Sequence, residues 1–277
     1  MAMTKVYRIE SDENFATLFS TQRMPHASRK GPMDGARREL RASIEAIKAR
    51  PCHIIEGVYS SQADGFFDVE NVVFYNIESA TFRNSSQNGL RARRCRLHDE
   101  ADSPGYGHKL DYRMIPTPPP PAQPNVRLSF TPRGVGSLFD VWWAAGGGES
   151  ISIGQLNGPY GLHVELGLPV PSKNPASKIK SLFDGIIASV QRDMLPDPVV
   201  VERLSHKHAI ARDRIEARLT NPTVSAISAL RSGRLVRQYG AGVIWRPADD
   251  LCEECTLIVT QTAIPVCNAY FYELDGR

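Results

Sequence analysis

The chain has 277 residues, 42% hydrophobic and 23% charged, with a formal net charge of +3. Those values exclude wholesale disorder and allow one large domain or two of ordinary size. The balance of 33 basic against 30 acidic residues is too mild to name a partner. Arginine outnumbers lysine 25 to 8, which fits phosphate recognition by planar guanidinium groups, although a GC-rich genome is the plainer explanation.

The N-terminal "MAMTKVYRIESDENF" lacks the apolar core of a signal peptide, and no run approaches ~18 uninterrupted apolar residues. Five cysteines are an odd number and do not resemble a disulfide framework. The expectation is a cytoplasmic chain with no membrane partner.

"KVYRIE" reads as a strand and Asp12 to Phe19 as a helix. "MDGARRELRASIEAIKAR" repeats Ala36, Leu40, Ile44 and Ile47 at helical spacing until Pro51 ends it. "CHIIEGVYSS" reads as a strand, as does "FFDVENVVFYNI", which is rich in β-branched and aromatic residues. The stretch "GLRARRCRLHDE" continues as another strand. Six prolines in "IPTPPPPAQPNV" predict an extended connector. The chain therefore divides into 1–114, a proline-rich linker or loop at 115–125, and 126–277.

Beyond the connector come "VRLSFTP", "GSLFDVWWAA" and a glycine triplet, then short strands in "SISIGQL" and "GLHVELGLPV". "NPASKIKSLFDGIIASVQRDML" is helical, with Asn174 as cap, Pro175 in the first turn and an apolar stripe from Ile179 to Val190. A helical stretch is expected at "TVSAISALRSG", then strands in "RLVRQYGAGVIW", "CTLIVTQT" and "VCNAYFYEL". Strands mixed with separate helices predict an α+β fold, with mixed or antiparallel sheets and a few packed helices. Helix material precedes paired strands in both segments, so two similar halves are one reading.

Arg83 to Arg96 contains five arginines and no acid. Strand alternation puts Arg91 and Arg93 on one face, with Arg94 and Arg96 on the other. On the helix before them Arg37, Arg41 and Lys48 share a face. If these converge, Arg37, Arg41, Arg91, Arg93, Arg94 and Arg96 form a surface for nucleic acid or another polyanion, RNA or DNA. The plain alternative is a solvated, charged strand edge. Arg231, Arg234 and Arg237 form a further basic cluster.

Two carboxylates, Asp68 and Glu70, lie two residues apart beside an apolar face, where they could hold magnesium or pair with arginines. His163 and Glu165 in "GLHVELG" share a strand face and suit a metal or acid–base pair. Cys252 and Cys255 have CxxC spacing but no second pair, so no structural zinc is expected. His206 and His208 would not share a helix face. "RGVGSLFD" has Phe139 where a dinucleotide loop needs glycine, and no GxxxxGK or GxSxG occurs. The leading expectation is a nucleic-acid- or phosphate-binding protein, within a larger complex with other proteins. The alternatives are a metal-dependent hydrolase or nuclease using Asp68, Glu70, His163 and Glu165, and a protein-interaction module. No cofactor is expected except a divalent metal under the hydrolase reading.

Overall fold

Asp12 decides the first element of the computed structural model, which describes residues 6–26, 31–62, 68–97, 105–170, 172–222 and 234–274. Its carboxylate accepts the N–H groups of Asn14 (2.6 Å) and Phe15 (3.1 Å). That local turn competes successfully with a helix, so the helix expected from Asp12 is instead a hairpin of β1 (Tyr7–Ser11) and β2 (Phe15–Ser20). The segment then continues through α1 (Asp34–Ala46), β3 (His53–Ser61), β4 (Gly89–Arg96) and β5 (His108–Pro116). Beyond the prolines come β6 (Val126–Phe130), α2 (Leu138–Ala145), β7 (Glu149–Ser152) and β8 (Tyr160–Leu168). Three helices follow, α3 (Ile179–Ser189), α4 (Pro198–His208) and α5 (Arg212–Thr220). The chain closes with β9 (Val236–Tyr239), β10 (Gly242–Trp245), β11 (Cys252–Gln261) and β12 (Val266–Glu273). The helix expected at "TVSAISALRSG" falls outside the described residues.

The fold is α+β. A ten-stranded sheet runs β1-β2-β5-β3-β4-β11-β8-β12-β6-β7, beside a small β9–β10 hairpin. One pairing scheme occurs twice. In the first segment β2–β5 and β5–β3 are antiparallel and β3–β4 parallel. In the second, β6–β12 and β12–β8 are antiparallel and β8–β11 parallel. The two schemes meet head to head where β4 and β11 pair antiparallel, so the sheet is built as two similar halves about an approximate twofold.

Each parallel pair needs a crossover, and both crossovers pass over the same face of the sheet. Leu90, Ala92, Leu162, Val164 and Leu257 from the strands join Leu40, Val73, Phe74, Leu182 and Phe183 from the covering segments in one core. A second apolar cluster gathers Phe139, Trp142, Val201, Leu204, Ile215 and Leu219 among α2, α4 and α5. From Pro116 to Val126 the chain travels from the third to the ninth strand of the sheet. Six strand spacings are about 29 Å in a flat sheet, and ten extended residues span about 31 Å. The prolines keep that stretch extended.

One expected strand is helical, and so is a stretch that the sequence left unassigned. "GSLFDVWWAA" forms α2, capped by the Ser137 hydroxyl, which accepts the Asp140 N–H. "FFDVENVVFYNI" becomes a π-helical turn at Asn71–Tyr75, closed by Asn76 N–H to the Asn71 carbonyl at 2.8 Å. Tertiary burial overrides β propensity here: Val72, Val73 and Phe74 are consecutive and all buried, which a strand on one sheet face does not achieve. Gly57 on β3 makes room, since a Cβ there would lie 2.2 Å from Val73.

Candidate metal centre

The π-helical turn belongs to the β3–β4 crossover and α3 to the β8–β11 crossover. Where they meet, Asp68 and Glu70 from the first face Lys180 and Asp184 from the second. Asp249, in the turn leading into β11, completes the group. Local chemistry orients each member. Asp68 accepts the N–H of Asn71 at the start of its turn. Lys180 and Asp184 are four apart on α3, one above the other. Asp184 and Lys180 stay fixed because α3 lies close against α2 at Gly185.

One oxygen from each of Asp68, Glu70, Asp184 and Asp249 lies within 4.8 Å of all the others. The Lys180 ammonium sits among them, 2.6 Å from Asp68, 3.2 Å from Asp184, 3.6 Å from Asp249 and 3.7 Å from Glu70. The Glu70 side chain is only 3% exposed, and its Oε1 accepts no hydrogen bond. A buried acceptor left without a donor is costly, and this one is aimed into the carboxylate group.

One lysine cannot balance four ionised carboxylates, and the ionisation equilibria follow from that. Burial, then the negative charge of Asp68, pushes Glu70 well above the ordinary carboxyl range. Burial, with Asp68 and Asp184 nearby, pushes Asp249 up to about 8. Burial raises Asp184 to about 6 against the opposing pull of Lys180. Burial also works against the charge on Asp68, but hydrogen bonds from Glu70 and the Lys180 charge outweigh it, and Asp68 ends below its ordinary value. Burial opposes the Lys180 charge too, yet Glu70, Asp68 and Asp184 raise it further. Glu70, Asp184 and Asp249 therefore each hold a proton to higher pH than an isolated carboxyl does, while Asp68 and Lys180 are driven toward their charged forms. An all-oxygen set of this kind fits a hard divalent cation such as magnesium, manganese or calcium, and not zinc. A cation entering it would replace protons as the balancing charge.

Of the residues singled out in the sequence, Asp68 and Glu70 join this group, from a helical turn and not from a strand. His163 and Glu165 do not. They lie on β8 facing the opposite side of the sheet, since Leu162 and Val164 face the core. Glu165 accepts the Tyr270 hydroxyl at 3.1 Å. His163 is buried, which pulls its pKa down, and its Nε2 has no partner.

The arginines do not form one surface. Arg37 is buried, donating to the carbonyls of Asn76 (2.9 Å) and Pro25 (2.7 Å) and pairing with Asp34. Arg41 pairs with Glu78. Both belong to α1, which packs on the core face of the sheet, whereas Arg91 and Arg93 point from the other face. The expected position of Arg91 and Arg93 beside α1 is thus corrected by strand alternation itself: Leu90 and Ala92 take the helix side. Arg91 and Arg93 are half-buried and share Glu254, at 2.6 and 3.1 Å, and Glu56, at 3.6 Å each. Tyr272 donates to the same Glu254 at 2.7 Å, and Arg113 pairs with Glu56. Arg94 pairs with Glu253, and Arg96 lies at the exposed end of β4. Cys252 and Cys255 both face the core because a register shift between Cys252 and Glu254 interrupts the alternation of β11.

Lys180, Asp184 and Asp249 were missed in the sequence. The available signal was an aspartate inside the apolar stripe of α3, between Phe183 and Ile186. Comparison of the chain with protein-family models, curated proteins and solved structures finds no match in any of the three.

Proposed function

We propose that the chain is a divalent-cation-dependent hydrolase of phosphate esters, with Asp68, Glu70, Asp184 and Asp249 as cation ligands. The observation that carries this reading is the buried Oε1 of Glu70, which accepts no hydrogen bond and has the Lys180 ammonium no nearer than 3.7 Å, aimed into three further carboxylates from separate elements. A bound cation there would supply Lewis acidity toward a phosphoryl oxygen. Lys180 is part-exposed, so its ammonium can turn from the carboxylates toward an anionic substrate and offset charge that develops on it. Asp249 and Lys180 form the solvent side, and Glu70 and Asp184 the buried side.

The experiment is turnover of bis(p-nitrophenyl) phosphate and p-nitrophenyl phosphate with manganese, magnesium or EDTA. Turnover should require the cation and fall at least a hundredfold in Asp68→Asn and in Glu70→Gln, each with an unchanged circular dichroism spectrum. Full activity in both variants, or no cation-dependent turnover of either ester, overturns the reading.

Phosphate binding is supported by a different part of the molecule from the strand arginines. At Arg91 and Arg93 the positive charge is already matched by Glu56 and Glu254.

A further inference from the structure

A cavity of about 750 Å³ opens between the end of β6, the C-terminal end of α2 and the exposed side of α5. Three of its lining residues are arginines: Arg133, Arg214 and Arg218. Among the described residues none of the three makes an ion pair, although Glu149 lines the same cavity. Arg214 and Arg218 are four apart on α5, so two like charges share one helix face, an arrangement that costs helix stability. Arg218 is half-buried, and burial followed by the charge of Arg214 pulls its pKa below the ordinary value. A desolvated guanidinium without a carboxylate is expensive.

Arg214 and Arg218 are held in place, while Arg133 reaches the cavity from an exposed position. Ile215 and Leu219, on the other side of α5, are fully buried in the second apolar cluster. Both guanidinium groups lie over the Trp143 ring, 5.5 Å (Arg214) and 5.2 Å (Arg218) from its centroid. Phe139 stacks on Trp143 at 6.1 Å and nearly parallel. The glycine triplet after α2 has its explanation here: a Cβ on Gly146 would lie 2.3 Å from the Arg218 Nη1, and one on Gly148 2.4 Å from the Ser129 carbonyl. Any side chain at Gly146 would displace Arg218 from the cavity wall.

We propose that this cavity binds a phosphorylated small molecule, with its phosphate held by Arg133, Arg214 and Arg218. Three guanidinium forks match a tetrahedral dianion, which offers several oxygens for paired hydrogen bonds. A monocarboxylate would leave positive charge unbalanced. The wall also carries apolar surface, through Phe130, Ala144 and Val266, which accommodates the organic part. The arginines converge on one cavity and do not track along a groove, which favours a small molecule over a nucleic-acid strand. The inference does not depend on the carboxylate group, which uses none of these residues.

The test is calorimetric titration of the full chain, in EDTA so that no cation site contributes. The probes are adenosine monophosphate, glucose 6-phosphate and a single-stranded oligonucleotide. At least one monophosphate should saturate at one per chain and change the tryptophan fluorescence, because Trp143 lies beneath the arginines. The two monophosphates distinguish a nucleotide from a sugar phosphate. Arg214→Gln, at an exposed position, and Arg218→Lys, which keeps the charge but loses the fork, should each weaken that binding about tenfold or more. Equal affinity in wild type and Arg214→Gln overturns the proposal. So does binding of the oligonucleotide alone, or binding of none of the three probes.

Discussion

Asp249 is 21% exposed at its side chain, and its carboxyl is pushed up to about 8 from an ordinary 3.8. The sign of its effect on stability follows. Between those values the folded chain binds a proton that the unfolded chain has released, so this group makes stability fall as pH rises toward 8. His108, His163 and His208, held below 6.5 by burial, act in the opposite direction, but only up to about that pH. Glu254 is pulled below 4.5 and changes nothing above it: burial raises it, but hydrogen bonding from Tyr272 and the Arg91 charge prevail. The buried thiols of Cys252, Cys255 and Cys267, raised from 9.0, act in the same direction but mainly above pH 8, so between pH 7 and 8 the carboxylate group dominates. Without divalent cation, the urea midpoint should drop across that window, and Asp249→Asn should flatten the drop. Manganese should remove it too, since a cation substitutes for the departing proton. A wild-type midpoint that holds steady or rises from pH 7 to 8 in EDTA would refute this account of Asp249.

At the scale of elements, some of the structure could be read from spacing and some could not. β4 and α1 follow the expected periodicities, because each buries mainly one face; β3 and α3 form where they were expected although both are buried on nearly all sides. Residues 69 to 75 fail that logic. Their apolar side chains are buried all round, so period carries no information there and composition pointed wrongly to a strand. That is also the segment that delivers Asp68 and Glu70, which were legible as a pair but not as part of a group. Their partners come from positions 180, 184 and 249, which only the sheet order brings near. The helices α4 and α5 went unread although Asp197 caps the first at Val199 N–H (2.9 Å) and Pro198 opens it. One contact between elements makes a sharp test. A Cβ on Gly185 would lie 2.6 Å from the Val141 Cβ and 2.8 Å from the Leu138 carbonyl. The carbonyl is backbone in the first turn of α2 and cannot rotate away, so α3 itself must shift. Gly185→Ala should cost about 1–3 kcal/mol from overpacking, partly offset by about 1 kcal/mol of helix propensity. Because Asp184 and Lys180 are carried on the same helix, manganese affinity should fall in the same variant, read by calorimetry. An unchanged melting temperature together with unchanged affinity would mean that α2 does not set the position of α3.

Across the whole molecule, the two halves meet at β4 and β11, from Gly89 opposite Ile258 to Arg93 opposite Glu254. Pairing is close enough that a Cβ on Gly89 would lie 2.0 Å from the Leu257 carbonyl, and Gly89 has φ of 135°, a region where other residues are strained. Asn88 accepts the Val259 N–H at 2.9 Å across the same seam. A single apolar core runs through both halves, and the carboxylate group takes members from each. Neither half can leave without exposing a long strand edge and uncovering that core. The expectation is one cooperative unfolding transition. Composition supplies the means to check it, because Trp142, Trp143 and Trp245 all belong to the second half. Tryptophan fluorescence thus reports that half alone, while far-ultraviolet circular dichroism reports both. In urea the two curves should coincide. Gly89→Ala strains the seam from the first half, far in sequence from every tryptophan, and should move both curves to lower urea by the same amount. If the fluorescence transition stays in place while the dichroism curve splits or shifts, the halves unfold separately and the seam is a docking surface, not the centre of one folding unit.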